Sequence, residues 1–224
     1  MQPYLFPYVG YFQLVAAVDH FVFYDDVQYI QQGWINRNQT AAGRFTVPLA
    51  RDAYTASIRE RRIHRPVYAS FVRKWLRGFD FAYRSAPHYA AVRKLCAHVW
   101  HPAPDSIAEL AARSVVRVSD YLGLNVQFHH ASQLDYDRTR SGADRLLALL
   151  DGFGSGTYLN MIGGRDLYTQ EAFARRGWTL RFLHPTLPPP PPDYGLSVLH
   201  ALAHTSPEAL LDVLKNYELH VPTP

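Results

Sequence analysis

The chain is poor in cysteine: Cys96 is the single one among 224 residues. An internal disulfide and a zinc site with several cysteine ligands are therefore excluded. Cys96 lies in AAVRKLCAHVW, where apolar residues recur at helical spacing, so we expect it to be buried. The sequence also has no apolar run of 18 residues, which argues against a membrane-spanning helix. Because the basic and apolar pattern of a secretion signal is missing as well, we expect a cytoplasmic protein.

Familiar catalytic motifs are absent too. The sequence holds no GxSxG nucleophile turn, no Walker loop and no GxGxxG turn. Its eleven histidines form no metal-binding motif. His129 and His130 are adjacent at a predicted strand end and should point apart. His200 and His204 could share a helix face, but no carboxylate motif accompanies them. We assign no metal ligands, and Mg²⁺ is compatible with the sequence without being required by it.

Charge and composition describe a globular protein. Apolar residues make up 48% of the chain and charged residues 19%, which is typical of one folded domain of this length. The net charge is +4, and much of the excess lies in Arg59–Arg65 and Arg73–Arg84. Such a patch could attract a phosphate or an acidic carrier protein, although a solvated helix face explains most of it. Nucleic-acid binding is not expected, because the aromatic residues cluster with acids rather than with this patch.

The N-terminal 38 residues are unusually rich in hydrogen-bonding side chains around short apolar runs. Each buried polar group needs a partner, so a segment built only as core would not carry so many. A ligand-binding site and an aromatic-rich strand–helix–strand unit with an ordinary wet surface are both compatible with this pattern. The residues concerned are Gln2, Tyr4, Tyr8, Tyr11, Gln13, Asp19, Asp25, Asp26, Gln28, Tyr29, Arg37 and Asn38.

Hydrophobic periodicity predicts alternating helices and strands. The predicted helices are Tyr8–Ala17, Pro66–Arg77, Pro87–Trp100, Ile107–Leu122, Gly142–Leu150, Asp166–Arg176 and a pair within Ser197–Leu214. The predicted strands are His20–Asp26, Arg44–Leu49, Asn125–Phe128, Thr157–Met161 and Thr179–Leu183. We interpret this order as a single α/β domain over residues 1–224, with an open, mainly parallel Rossmann-like sheet, flanking helices and a helical insertion around residues 60–122. The five prolines 188–192 should form an extended spacer before C-terminal helices at about 197–216.

Two groups of residues could carry chemistry. Asp25 and Asp26 follow a predicted buried strand, at the edge where open α/β sheets bind ligands. One carboxylate could act as a base, or the pair could hold a hydrated Mg²⁺ ion. Asn160 and the turn Gly163–Gly164, with Arg165, lie between a predicted strand and helix. Backbone N–H groups at such a turn can bind a phosphate, a carboxylate or an oxyanion.

Long motifs resemble those of a known family. The strings QPYLFPYVGYFQL and VDHFVFYDDVQYIQQGWINRN, followed by TVPL, YLNMIGGRDLY and LSVLHAL, resemble the WbqC-like family, which occurs among bacterial polysaccharide and specialised-metabolite genes. The resemblance covers nearly the whole chain. Family members usually carry apolar residues before QPY, so this chain's start looks clipped. The resemblance implies a bacterial biosynthetic enzyme.

From these residues and the resemblance we expect transfer of an activated acyl or aminoacyl group to an amine, with amide formation. The catalytic candidates are Asp25, Asp26, Tyr11 and Asn160. The substrate-binding candidates are Gln2, Tyr4, Tyr8, Gln13, Gln28, Tyr29, Trp34, Arg37, Asn38, Gly163, Gly164 and Arg165. The partners would be a small-molecule amine and a carrier protein or nucleotide-linked donor. Two alternatives stay open: a glycosyl- or nucleotidyl-type transferase that binds a nucleotide phosphate, and a non-catalytic subunit that binds a carrier or partner.

Overall fold

The structure, a computed structural model, describes residues 1–222. The helices are α1 (Val9–Ala16), α2 (Arg65–Tyr83), α3 (Tyr89–Trp100), α4 (Ile107–Leu122), α5 (Gly142–Leu150), α6 (Gln170–Ala174), α7 (Val198–His204) and α8 (Pro207–Leu214). The strands are β1 (His20–Phe23), β2 (Arg37–Thr40), β3 (Gly43–Thr46), β4 (Gln127–His130), β5 (Gly156–Met161), β6 (Trp178–Pro185) and β7 (Tyr217–His220). The chain combines helices with several short strands, so the protein is of the mixed α/β class.

The strands form small sheets. β1 pairs with β4 in parallel, and β2 pairs with β3 as an antiparallel hairpin. In the third sheet β6 lies between β5, which is parallel to it, and β7, which is antiparallel. The expected single Rossmann-like sheet is therefore not confirmed, since each sheet in residues 1–222 has two or three strands. Met1 also lies beside β1, where its carbonyl accepts a hydrogen bond of 2.8 Å from the Tyr24 N–H.

The helix predictions hold best where both ends carry capping residues. α4 has the predicted bounds: Ser106 Oγ accepts from the Glu109 N–H at its start, and Gly123 ends it with a φ of 68°. The predicted helix Asp166–Arg176 is wrong in its first part. Ile162–Leu167 forms a 3₁₀ helix, and α6 begins at Gln170. Tyr168 separates the two in an extended conformation, because its ring packs edge-on against Phe173.

The buried side chains form two clusters. The larger one joins the N-terminal segment to α2, α3, α4, α7 and α8, and at its centre the rings of Trp75 and Trp100 are 5.0 Å apart. Cys96 belongs to it and is fully buried, as expected, and burial raises the pKa of its thiol. The smaller cluster joins α5, α6, β5 and β6 around Phe173 and Leu180. No helix within residues 1–222 has both the length and the apolarity to cross a membrane.

Candidate functional site

Asp25 and His130 meet where two parallel strands end. Asp25 follows β1 by two residues, and His130 is the last residue of β4. Because β1 and β4 run in parallel, their carboxyl ends lie at one edge of the sheet. Asp25 Oδ2 is 3.0 Å from His130 Nδ1. The Asp25 side chain is 3% exposed and that of His130 is 30% exposed, so the buried carboxylate holds an accessible imidazole.

Ser132 completes the hydrogen bonding of this carboxylate. Its backbone N–H donates to Asp25 Oδ1 and its hydroxyl to Oδ2, both at 2.9 Å. Burial alone would raise the pKa of Asp25, but the hydrogen bonds from His130 and Ser132 outweigh it and lower the pKa below its ordinary value of 3.8. A fixed anion at Nδ1 favours the tautomer with the proton on that nitrogen. Nε2 is then the basic atom of the ring.

Asp26 belongs to a separate network. Its Oδ2 accepts from the Tyr136 hydroxyl at 2.7 Å and from Arg138 Nε at 3.0 Å, and its Oδ1 lies 3.2 Å from Arg145 Nη2. Asp25 and Asp26 are therefore engaged by different protein donors. Both Asp25 oxygens and Asp26 Oδ2 accept hydrogen bonds, whereas Asp26 Oδ1 is buried and accepts none within residues 1–222. A single Mg²⁺ ion shared by the pair does not fit this arrangement, since it would have to displace the protein donors that hold three of the four oxygens.

Tyrosine rings surround the arginine of this second network. The Arg145 guanidinium lies 5.6 Å from the centre of the Tyr24 ring and 5.9 Å from that of Tyr136. Burial raises the pKa of both phenols, and the hydrogen bond from Tyr136 to Asp26 raises that of Tyr136 further. Both phenols are thus neutral hydrogen-bonding groups.

The loop Leu5–Phe6 is held by three polar side chains from distant elements. Asn38 Nδ2 donates to the carbonyls of Leu5 and Phe6 at 2.8 and 2.6 Å. The Phe6 N–H donates to Ser114 Oγ, and Ser197 Oγ donates to the Phe6 carbonyl, both at 2.8 Å. These bonds hold Phe6 at a φ of 45°, which is unusual for a residue other than glycine. Asn38, a predicted binding residue, is buried, and its side-chain amide binds this loop.

The side chains of two further N-terminal candidates form hydrogen bonds to the backbone inside the fold. The Tyr11 hydroxyl donates to the Gln2 carbonyl at 2.9 Å, and burial raises the pKa of Tyr11 well above its ordinary value. Gln13 Nε2 donates to the carbonyls of Val213 and Asn216 and so joins α1 to the end of α8. Tyr11 and Gln13 are fully enclosed, so we do not carry them forward as site residues.

The remaining N-terminal candidates lie nearer the surface. Gln2, Tyr4 and Tyr8 are partly buried, and burial raises the pKa of both tyrosines. The Tyr8 ring lies over Gly10, where a Cβ atom would come within 2.4 Å of the ring, so only glycine fits. Gln28 is exposed, and its amide donates to the Tyr54 carbonyl at 3.3 Å.

Two arginines flank Tyr29. The Arg61 guanidinium lies 4.8 Å from the centre of the Tyr29 ring, and that of Arg37 lies 5.6 Å from the ring of Trp34. Burial raises the pKa of Tyr29, although both arginines oppose this shift. The Nε atoms of Arg37 and Arg61 are buried and have no hydrogen-bond partner in the described part of the chain. Arg61 Nη1 also lies 3.9 Å from Asp52 Oδ2, and the remaining donors of the two guanidinium groups suit a carboxylate or a phosphate.

Contrary to the sequence prediction, the glycine turn does not begin an α-helix. Gly163 and Gly164 lie inside the 3₁₀ helix, and α6 begins only at Gln170. A Cβ atom at Gly164 would meet Asn160 Nδ2 at 2.9 Å, so this glycine admits the Asn160 side chain. The Arg165 side chain is 65% exposed and lies beside Asp166. The prediction was wrong about the helix because Tyr168 interrupts it.

A cavity of about 380 Å³ lies elsewhere, between the β2–β3 hairpin and α2. Phe71, Trp75 and Phe79 form its apolar wall, and Arg44 and Lys74 contribute positive charge. The residues that line it include none of the site residues predicted from the sequence.

Sequence comparison gives the family. The family model described as WbqC-like protein family matches residues 2–211. The chain belongs to this family. One relative, Uncharacterized protein Rv1507c of Mycobacterium tuberculosis, is 28% identical over 173 residues, which cover 75% of this chain and 73% of the relative. No solved structure matches the chain significantly.

In this WbqC-like protein, sequence reasoning missed the partners of both aspartates: His130, Ser132, Tyr136, Arg138 and Arg145. From the sequence, His129 and His130 relate only to each other, as adjacent residues that point apart. The available signal was the position of His130 at a strand end, like that of Asp25. This signal identifies His130 as the partner of Asp25 only once β1 and β4 are known to be neighbours, because 105 residues separate the two side chains along the chain.

Proposed function

We propose that this WbqC-like protein transfers an activated acyl or aminoacyl group to an amine and that His130 is the general base. The observation that supports this proposal is the Asp25–His130 pair at the carboxyl ends of β1 and β4. A buried, hydrogen-bonded carboxylate orients an accessible imidazole. In line with the family resemblance, we propose that such a reaction would belong to polysaccharide or specialised-metabolite assembly.

The reaction needs one proton acceptor. The amine nitrogen attacks the carbonyl carbon of the donor and forms the C–N bond, while His130 Nε2 accepts the proton that this nitrogen loses. The bond to the leaving group then breaks, and His130 returns the proton to it. Asp25 stays ionised throughout, because its lowered pKa keeps it an anion at neutral pH.

Arg37 and Arg61 would bind the anionic part of a substrate. Tyr29, which they flank, follows Asp25 by four residues, and four residues span at most about 14 Å. The Arg59 N–H also donates to the Asp25 carbonyl at 2.9 Å, which brings the segment that carries Arg61 against Asp25. We propose that one substrate spans the arginines and the base. Tyr4, Tyr8, Gln28 and Trp34 would shape the surface between them.

A second transferase reading rests on the same arginines. Guanidinium groups bind a phosphate as well as a carboxylate, so a nucleotide or nucleotide-sugar donor would also fit. In that reading the Asn160–Arg165 segment would contribute further donor contacts. A Gly164→Val change, which displaces Asn160, would weaken nucleotide binding but leave amine binding intact.

The first test measures binding and then activity. Thermal shift against amino acids, amines, acyl-carrier thioesters, nucleotides and nucleotide sugars identifies the donor and acceptor classes, since a ligand at a hundredfold excess over Kd stabilises by roughly 2.7 kcal/mol. With a productive pair, His130→Gln should lower kcat by about 10²–10⁴-fold. His64→Gln, at an exposed histidine outside the site, should leave kcat unchanged.

Two results would count against the proposal. Full activity in His130→Gln would show that His130 is not the general base. Salt-sensitive binding of an acidic carrier, with no turnover in any combination, would favour a non-catalytic subunit. Arg73, Arg77 and Arg93 would serve that role, since they line one surface groove with Leu76 and Asp80.

A further inference from the structure

Three potential metal ligands meet on the β6–β7 pair. β6 and β7 are antiparallel, with His184 opposite Glu218 and Phe182 opposite His220. Glu218 and His220 are two residues apart on one strand, so their side chains share a face, and cross-strand pairing brings His184 to the same face. Leu183 and Leu219 point to the other side by the same alternation. The pairing register of β6 and β7 therefore brings the three side chains together.

The distances between them are close to those of a metal site. One ligand atom from each residue lies within 4.8 Å of the other two. Two donors bound to a tetrahedral zinc at 2.0–2.1 Å are about 3.4 Å apart. Glu218 Oε2 and His220 Nε2 already have this spacing, at 3.3 Å. The third ligand, His184, is exposed and needs only a small side-chain rotation to close the triangle.

The Nε2 atom of His220 gives a second, independent indication of a ligand. The His220 side chain as a whole is 43% exposed, but this one atom is buried and makes no hydrogen bond within residues 1–222. It lies in ion-pair range of Glu218, yet the two groups are not aligned for a hydrogen bond. A buried nitrogen without a donor or acceptor in line is costly unless something else occupies its lone pair. A metal ion between the two side chains would do so.

We propose that His184, Glu218 and His220 bind one divalent transition-metal ion of the zinc type. Two imidazoles and one carboxylate form a donor set that zinc favours, and three protein ligands leave the fourth position for water or a small anion. The site lies in a different sheet from Asp25 and His130, and this proposal does not rest on the transfer reaction. Bound metal would also fasten β7 to β6.

The test uses the full chain without a polyhistidine tag, freed of metal by a chelator. Zn²⁺ titration by calorimetry should give one equivalent per chain, and Co²⁺ should give the visible absorption of a tetrahedral site. Zn²⁺ should also raise the melting temperature. Glu218→Gln and the pair His184→Ala/His220→Ala should weaken binding by more than the roughly 10–100-fold that changes outside the ligand set cost.

Matched controls separate this site from other histidines. Glu208→Gln and His64→Ala change exposed residues elsewhere and should bind Zn²⁺ like the unaltered chain. Glu218→Gln keeps the size of the side chain, so it tests the site even where the double variant fails to fold. Absence of Zn²⁺ binding in the unaltered chain would overturn the proposal. Binding that survives Glu218→Gln but is lost in His200→Ala would overturn it as well.

Discussion

At the residue scale, the hydrogen bonds around Asp25 fix the charge of the candidate site. The carboxylate accepts from His130 and from two groups of Ser132, so each of its oxygens has a donor. Such a group is stable as an anion although it is almost fully buried. The same bonds tie β1 to the segment after β4, which makes Asp25 a structural residue as well as a positioning one.

This charge predicts how stability depends on pH. The pKa of Asp25 is lower in the folded chain than its ordinary value of 3.8, so its contribution is present above that value and is lost as pH falls through the folded pKa. At neutral pH, Asp25→Asn should lower the free energy of unfolding by about 1–3 kcal/mol. Urea denaturation should show this difference shrinking as the pH is lowered from 5 through about 4 and below.

The exposed residue Asp166 provides the control for that prediction. Its side chain is 89% exposed, so Asp166→Asn should change the free energy of unfolding little at any of these pH values. A difference for Asp25→Asn that stays constant down to acid pH would show that its charge is not the cause.

At the scale of helices and strands, two glycines in neighbouring helices have opposite roles. Gly123 ends α4 with a φ of 68°, where other residues are strained. Gly78 lies inside α2, and a Cβ there would meet Ala42 Cβ at an ordinary 3.8 Å. The same substitution should therefore have opposite effects at the two positions.

Gly123→Ala should destabilise the protein by about 1 kcal/mol, through the cost of the left-handed backbone. Gly78→Ala should stabilise it by about 0.5–1 kcal/mol, because alanine has the better helix propensity. Thermal or urea unfolding of the two variants beside the unaltered chain measures both signs. A loss of stability in Gly78→Ala would mean that the β2–β3 turn packs more tightly against α2 than the 3.8 Å contact indicates.

The sequence predicted elements with local signals and missed those that depend on pairing. α4 was found with its bounds because Ser106 and Gly123 mark its ends. β2 was missed because RNQT carries no apolar alternation, and β7 because the four residues YELH are too short a signal; both become strands only beside β3 and β6. The position of Asp25 at a strand end was predicted. Its partner His130 was not, because nothing local records that β1 pairs with β4.

At the scale of the whole molecule, the C-terminal helices complete the larger core. Leu210, Val213 and Leu214 of α8 are buried in it, and the end of α8 accepts both hydrogen bonds from the Gln13 amide. Each buried aliphatic side chain contributes roughly 1.5–3 kcal/mol. Together they approach the total stability of a typical domain, which is about 5–15 kcal/mol.

A chain ending at Thr205 should therefore not fold. Circular dichroism should show loss of the cooperative thermal transition, because the core is opened and Gln13 loses its acceptors. Leu210→Ala in the full chain should give a partial effect, a loss of about 2–5 kcal/mol with the transition retained. A shortened chain that melts cooperatively near the temperature of the full one would show that α8 is dispensable to the core.

The hydrogen bonds from Asn38, Ser114 and Ser197 to the Leu5–Phe6 loop have a consequence for the order of folding. They connect residues that are 32, 108 and 191 positions apart along the chain, so each forms only after distant segments have met. Contacts of such long range cost loop entropy before they return any stability, and they form late. The N-terminal tyrosines therefore reach their final positions only when β2, α4 and the start of α7 are all in place. Nascent chains therefore carry this part of the surface unfinished until residue 197 has been synthesised.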